Sequence, residues 1–433
     1  MKTYSLIAFG CDKNIIDAEC MAKRLADAGY RFSPSVEESD IIVVHTCAFI
    51  DAAKNESIDA ILEMAQKKNS GASLIVTGCL AQRYSKEIAN EITEVDLILG
   101  VGQHNSLLDR MGSERICVSE PEAWDITTFD RIPSTPPYYA YVKISEGCDN
   151  RCSYCAIPQI RGRQRSRPVG AIIEEISRLE KQGLVELNLV AQDLTAYGTD
   201  TGQYNLVGLL DRIINQTHVP WIRLLYLHPA RVTDELIAFI AGERRILPYL
   251  DIPVQHASDA ILRSMGRKIT KSDIVRLIDR LRSRIDDLIL RTTVIIGYPG
   301  EGEGEFRELS RFVSEARFER LGAFMYSPEK DTAAYRLHQR VPKKIKKRRY
   351  DDIMHLQQEI SLDYHRSLIG RRLKTLVCGV GKEGGEYFWG RYFGQAPDID
   401  GVIYFSGQNL REGDLVSVLV TDCGPYDLMG EAV

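Results

Sequence analysis

Three cysteines fall on one short stretch, Gly147-Cys148-Asp149-Asn150-Arg151-Cys152-Ser153-Tyr154-Cys155, spaced C-x3-C-x2-C. A chain with this stretch must fold so that one loop presents three thiols together, which suits a metal group better than a packed core. A closed structural zinc site takes four ligands, and no fourth cysteine or histidine lies nearby in sequence. An iron–sulfur cube held by three thiolates keeps one iron free for another ligand. A zinc knuckle is the competing use, and the ligand count favours the cube.

The segment before this loop alternates apolar runs with helical patterns. Residues 5–9, 41–44 and 74–77 read as strands, and residues 15–28 and 54–68 as helices. Continuous apolar runs separated by helices predict a parallel sheet covered on both faces. Cys11, Cys47 and Cys79 each stand just past the C-terminal end of one of these strands. Those ends share one edge of a parallel sheet, where ligands bind, so the three predict a second cysteine cluster. The plainer use of a free cysteine is as a small core residue, and Cys20 and Cys117, within a helix and a strand, fit that use.

Prolines at 121, 133, 136 and 137 mark residues 120–137 as a linker. Strand patterns then recur at 140–144, 186–190, 221–226, 249–252, 288–295 and 320–326, with helical patterns between them, such as 169–182 and 271–284. Six such units predict an open (β/α)6 partial barrel, with its chemistry at the C-terminal strand ends. The C-x3-C-x2-C loop follows the first of these strands. Residues 343–349 carry six cations in seven positions and open a helix reaching about 368. That run reads as a solvated helix face, with contact to ribosomal RNA as the alternative. Five short strands after Gly370 predict a small β-barrel. The expected class is therefore α/β multidomain: an N-terminal parallel α/β domain (1–130), a central open partial barrel (138–368) and a C-terminal small β-barrel (370–433).

With 433 residues, 44% hydrophobic and 27% charged, the composition is that of a globular protein. A formal charge of −5 does not suggest a general nucleic-acid binder. The first residues run straight into a strand pattern, so no signal peptide is expected, and no apolar run nears the ~20 residues that span a bilayer. Ten cysteines without a secretory signal predict reduced thiols and metal chemistry in the cytoplasm.

The C-x3-C-x2-C loop resembles that of the radical S-adenosylmethionine (radical SAM) enzymes, and Tyr154 stands where they carry an aromatic near the adenine. Further segments resemble the methylthiotransferases within that superfamily. They are Gly10-Cys11-Asp12-Lys13-Asn14-Ile15-Ile16-Asp17-Ala18-Glu19, Val190-Ala191-Gln192-Asp193-Leu194-Thr195, Asp251-Ile252-Pro253-Val254-Gln255-His256-Ala257, residues 291–300 and Tyr426-Asp427-Leu428-Met429-Gly430-Glu431. These look like the branch that modifies an aspartate of the decoding-centre protein S-twelve of the small ribosomal subunit, and the C-terminal barrel resembles the TRAM module. Asp12, Ala18, His45 and Ala48 depart from the residues usual in that branch, and none is a cysteine of either trio.

The resemblance implies two [4Fe-4S] clusters, one on Cys148, Cys152 and Cys155 and one on Cys11, Cys47 and Cys79. It implies S-adenosylmethionine as radical source and methyl donor, with Tyr154, Gln192, Asp193 and Gln255 as candidate cofactor contacts. Arg161, Arg163, Arg165 and Arg167 read either as substrate-orienting residues or as a solvated loop. The implied reaction replaces an unactivated C–H at the aspartate β-carbon by C–S–CH3, which acid–base chemistry cannot do at neutral pH. Implied partners are ribosomal protein S-twelve or the small subunit and a low-potential electron donor such as flavodoxin or ferredoxin, with no membrane and no DNA. A transfer-RNA adenosine methylthiotransferase and a non-enzymatic iron–sulfur or RNA-binding protein are the alternatives. The barrel from Gly370 onward carries six cations against nine anions, a poor match to a phosphate backbone and a better one to a basic protein.

Overall fold

The computed structural model describes residues 2–112, 114–121, 125–127, 129–381 and 387–433. Residues 122–124 and 128 of the expected linker lie outside them, as do Lys382, Glu383 and Glu386 of the barrel's charge count.

The N-terminal unit is a parallel sheet of β1 (Thr3–Ala8), β2 (Arg31–Phe32), β3 (Ile41–Thr46), β4 (Ser73–Gly78), β5 (Leu97–Leu99) and β6 (Ile116–Cys117), in the order β2-β1-β3-β4-β5-β6. Its helices are α1 (Asp12–Asp27), α2 (Asp51–Lys67), α3 (Cys79–Glu91) and the short α4 (Leu107–Arg110). Every residue of β3 is buried, as expected for a strand covered on both faces. Ile42, Val44, Leu74 and Val76 pack one layer, and Ile41, Val43 and Ile75 the other. Cys117 is buried in the second of these layers, and Cys20 is buried on the far side of α1, in a cluster shared with the other domains.

The central unit is an open parallel sheet in the order β14-β13-β12-β11-β10-β7. Its strands are β7 (Tyr139–Lys143), β10 (Glu186–Val190), β11 (Trp221–Leu224), β12 (Ile246–Asp251), β13 (Ile289–Ile296) and β14 (Arg320–Met325). A two-residue ribbon, β8 (Ser145–Glu146) with β9 (Arg165–Ser166), and the short helix α5 (Ile157–Arg161) fill the span after β7. The outer helices are α6 (Val169–Glu180), α7 (Leu206–Gln216), α8 (Asp234–Gly242), α9 (Asp259–Ser264), α10 (Lys271–Arg284) and α11 (Glu303–Ala316). Successive strand residues divide between two faces. Ala140, Val142, Leu187 and Leu189 join the helix-packed core, while Tyr141, Lys143, Glu186 and Val190 face the other way. That inner face sets buried charges such as Lys143, Glu186 and Arg223 among apolar and aromatic side chains, unlike the filled apolar interior of a closed (β/α)8 barrel.

Helix α12 (Lys343–Arg366) leads into a closed barrel of β15 (Arg372–Val380), β16 (Tyr387–Tyr392), β17 (Ile403–Ser406), β18 (Leu415–Cys423) and β19 (Leu428–Ala432), in the order β15-β16-β17-β19-β18. Lys343, Lys344, Lys347 and Arg348 are exposed, and Arg349 is buried against Glu301. The barrel docks on the inner face of the central sheet. Glu186 lies between Arg223, at 2.8 Å, and Arg391, at 2.6 Å, all three buried. Tyr249 donates to Asp400 at 2.7 Å. His365 donates from Nδ1 to the Gly424 carbonyl at 2.8 Å and accepts at Nε2 from Arg320 at 2.9 Å.

Burial and the adjacent Arg320 guanidinium push the His365 pKa from 6.5 down to about 4. Between those values the unfolded chain binds a proton that the folded chain does not, so stability falls as pH drops through that window. His365→Gln should remove this part of the acid sensitivity. Urea midpoints of parent and variant, compared at neutral pH and at about pH 5, read the difference.

Candidate functional site

Each cysteine of the first trio owes its place to the turn after β8. Gly147 has φ +78°, and a Cβ there would lie 2.1 Å from the Arg163 carbonyl oxygen, so only glycine admits this turn. The Cys148 amide donates to Gly162 O at 3.1 Å. Between Cys152 and Cys155 the loop is pinned by Ser153. Its amide donates to Met265 O at 2.9 Å, its carbonyl accepts from the Ala334 amide at 2.8 Å, and its hydroxyl meets Tyr298 Oη at 2.8 Å. Asn150, inside the same loop, donates to Asp193 at 2.6 Å and accepts from Arg231 at 2.8 Å, and Arg231 pairs with Asp193 at 2.6 Å. Asp193 is thereby fixed beside the cysteine loop. Tyr154 packs against Ile261, Met265, Ile295, Tyr298, Tyr326 and Ala334. Gln255 adopts φ +70° past β12, held by backbone bonds to Thr293 and Ile295.

The second trio sits on the N-terminal sheet's carboxyl edge, as expected. Cys11 caps α1, Cys47 follows β3, and Cys79 is the first residue of α3. The neighbours of the trio are tightly set. Gly10 has φ +100°, and a Cβ on it would fall 2.8 Å from Cys47 Cβ and 2.9 Å from its Sγ. Two of these thiols begin helices, where the dipole favours a thiolate. In the metal-free chain burial pushes the thiols up, Cys79 and Cys155 to about 12 and Cys148 to about 11. Cys47 packs on Gly10, next to Cys11, and the Cys79 Sγ reaches Asn14 Oδ1 at 3.7 Å, while in the other trio the Cys155 amide donates to Cys152 O at 3.1 Å.

Among the described residues no three His, Cys, Asp or Glu side chains are arranged to grip a single metal ion. Three sulfur donors without a fourth protein ligand fit a cube that keeps one iron open, and fall short of a closed zinc site.

Between the trios lies a polar core. Arg161 Nη1 bonds both Glu146 oxygens, at 3.0 and 3.1 Å, and its Nη2 reaches Asp17 Oδ2 at 3.0 Å. Lys143 Nζ meets Asp17 Oδ1 at 2.6 Å and Glu146 Oε2 at 2.7 Å. These four charges close a ring of alternating sign across the interface of α1 with the central unit, all of them at most 4% exposed. Gln192 donates to Glu146 Oε1 at 2.8 Å and so is tied to this ring. Although burial alone would raise the Asp17 pKa, Lys143 and Arg161 hold its carboxyl well below the usual carboxylate range. Beside the ring, Lys13 Nζ stands 3.4 Å from the centroid of the Tyr226 ring and 2.9 Å from Asp12. At the other edge Glu329, past β14, takes Lys54 at 3.0 Å and Arg83 at 2.6 Å. The N-terminal unit is thus fastened over the carboxyl ends of β7 and β14.

The reading of the arginine-rich stretch needs correcting. Arg161 and Arg167 are neither on a solvated loop nor free to orient a substrate, since both are fully buried in ion pairs. Their partners, Asp17, Glu146 and Glu175, are buried carboxylates that hold them in place of water. Only Arg163, with 80% of its side chain exposed, fits a solvated position. Asn14, Asp17, Lys143, Glu146 and Arg161 were not singled out as a group. A partial signal existed in Lys143, a lone charge ending the otherwise uncharged strand Tyr139-Ala140-Tyr141-Val142.

Residues 142–313 match the Radical SAM superfamily, residues 3–100 the Uncharacterized protein family UPF0004 and residues 369–433 the TRAM domain. Among solved structures, the radical S-adenosylmethionine methyltransferase TsrM of Kitasatospora setae, with cobalamin and a [4Fe-4S] cluster bound, superposes with a TM-score of 0.59 at 13% identity, over 89% of this chain and 78% of that one. The same enzyme with tryptophan substrate and a SAM analog gives 0.56, over 89% and 80%. That likeness is one of fold. Fold, cysteine loop and superfamily match together define a radical SAM enzyme.

Relatives named ribosomal protein uS12 methylthiotransferase RimO align along nearly the whole chain. The protein of Anaeromyxobacter sp. (strain Fw109-5) is 45% identical over 99% of this chain and 92% of its own length. That of Myxococcus xanthus is 45% identical over 100% and 92%, and that of Acetivibrio thermocellus 44% over 100% and 98%. The chain belongs to the ribosomal protein uS12 methylthiotransferase family.

Gly10→Ala should cost about 1–2 kcal/mol from the left-handed backbone alone and push Cys47 aside. Iron bound after anaerobic reconstitution should fall to about half of the parent's, with S-adenosylmethionine cleavage retained. Full iron content would show that Cys47 has room to move.

Proposed function

We propose that this chain methylthiolates the β-carbon of an aspartate in ribosomal protein uS12. The observation that carries the reading is the near-full-length match to uS12 methylthiotransferases, supported by Arg161, which closely follows the first trio in sequence and reaches Cys79 of the second at 3.7 Å. Cys148, Cys152 and Cys155 hold one [4Fe-4S] cluster, and Cys11, Cys47 and Cys79 hold a second. When bound, the clusters and S-adenosylmethionine supply the radical that removes the hydrogen, the sulfur and the methyl group.

The chain's own residues do the rest. The pairing of Asn150 with Asp193 and Arg231 stiffens the first cysteine loop and sets Asp193 beside it as a cofactor contact. Tyr154 and Gln255 are further cofactor contacts, and Gln192 is one held through Glu146. The charged ring excludes water between the sites and fixes their separation. The N-terminal residues to 130, residues 138–368 and residues 370–433 act as sulfur-site, radical-site and substrate-binding domains. The barrel's excess of anions supports a basic protein as its partner. The electron that starts cofactor cleavage would come from a low-potential carrier such as flavodoxin or ferredoxin. Among the described residues no helix is long and apolar enough to cross a membrane, which agrees with work in the cytoplasm on a ribosomal substrate.

Two outcomes test the assignment. Cys152→Ala should abolish formation of 5′-deoxyadenosine, because two remaining thiolates do not hold a cube, and measurable product would sink the first site. Replacing Cys11, Cys47 and Cys79 together should take iron from about eight to about four per chain. It should stop sulfur insertion into uS12, read by mass spectrometry, and leave cofactor cleavage intact. Loss of a transfer-RNA modification, with uS12 unchanged, in a strain lacking the protein would overturn the substrate.

A further inference from the structure

We infer that Arg161 is a positioning residue that sets the reduction potential of the group held by Cys11, Cys47 and Cys79, acting across the domain interface on the Cys79 sulfur. This rests on the proposed cluster assignment and goes beyond it.

Helix α5 begins two residues after Cys155 and ends at Arg161. One five-residue helix therefore starts at the first trio and delivers a guanidinium to the second. Arg161 Nη2 stands 3.7 Å from Cys79 Sγ, within hydrogen-bonding range for sulfur. The same nitrogen bonds Asn14 Oδ1 at 2.7 Å and Asp17 Oδ2 at 3.0 Å, while Nη1 is taken by Glu146. Every contact uses the planar fork, which a lysine's single ammonium cannot reproduce.

Asn14 makes the arrangement directional. Its amide nitrogen donates to Phe9 O at 2.8 Å and Thr46 O at 3.1 Å, which turns its Oδ1 toward Arg161 and Cys79. The protonated Cys79 thiol can donate to that oxygen, at 3.7 Å. A ligating thiolate has no proton to give, and the contact becomes one between two acceptors. Arg161, already bonded to Asn14 Oδ1, is then the cationic donor left facing the sulfur.

Charge accounting points the same way. Asp17, Glu146, Lys143 and Arg161 balance by themselves, so a thiolate at Cys79 adds an uncompensated negative charge beside Arg161. Reduction of a bound cluster adds another. A hydrogen bond to ligand sulfur and a fixed positive charge both favour the reduced state and raise the potential. The interaction is available only while the two domains are closed, because Arg161 belongs to one and Cys79 to the other.

The test uses the full chain with Cys148, Cys152 and Cys155 replaced by alanine, so that only the second trio can hold iron. The midpoint potential is titrated by electron paramagnetic resonance in this parent and with Arg161→Gln or Arg161→Lys added. Arg161→Gln should lower the ratio of reduced to oxidised cluster at least tenfold at a fixed potential, which is 59 mV for one electron. Arg161→Lys, which keeps the charge and loses the fork, should fall between. An unchanged potential in Arg161→Gln with iron retained would make the residue a domain brace only and overturn the inference. Because Arg161→Gln leaves Asp17 and Glu146 in excess, Arg161→Gln with Asp17→Asn is titrated too. Its buried charges balance, a lowered potential is again expected, and an unchanged one overturns the inference. Absence of iron from the parent, with Arg161 in place, would overturn the cluster assignment and this inference with it.

Discussion

Four buried charges decide how this molecule is put together. Asp17 lies on α1, 126 residues before Lys143, while Lys143, Glu146 and Arg161 stand close together in sequence, and none of the four is more than 4% exposed. Ion pairs out of water gain little net stability, because desolvation offsets much of their attraction. Removing one partner is another matter, at about 3–5 kcal/mol for the charge left behind. The ring therefore works as a register device. It tolerates one relative placement of α1 and β7 and penalises others, which is what the proposed pair of cofactor sites requires.

The same logic recurs at the other end of the central sheet. Glu186 between Arg223 and Arg391 seats the C-terminal barrel as the ring seats the N-terminal domain. The inner face of the open sheet mixes buried charges with apolar and aromatic side chains, and both kinds of group serve the dockings. One face of each strand builds the helix-packed core, and the other carries the groups that recruit neighbouring domains.

Much of this was legible in the sequence. The runs at 41–44 and 74–77 could only be strands buried on both faces, and their following cysteines fell where a parallel sheet gathers its edge. The six central strands and five barrel strands could be read from period and spacing. The fate of Arg161 and Arg167 could not. An arginine-rich stretch reads as solvated because composition reports charge and not partners, and Asp17 lies 144 residues away from Arg161. The strand order that sets β19 between β17 and β18, parallel to the former, was hidden for the same reason. Gln255 and Tyr226, both at positive φ past strand ends, show a further limit. Their conformation is imposed by packing and contradicts local preference.

One apolar cluster is shared by all three domains. Ile16 and Cys20 come from α1, Tyr141, Trp221 and Tyr249 from the central sheet, and Leu376, Cys378 and Ala396 from the last segment of the chain. During synthesis the first two domains emerge with this surface uncovered and stay incomplete until roughly the final sixty residues follow, as vectorial folding implies. A nascent chain stalled or clipped before β15 thus presents an uncovered apolar seam, an invitation to aggregation. Quality control of this protein is written into the order of its domains: the chain is safest after the last strand has closed the seam.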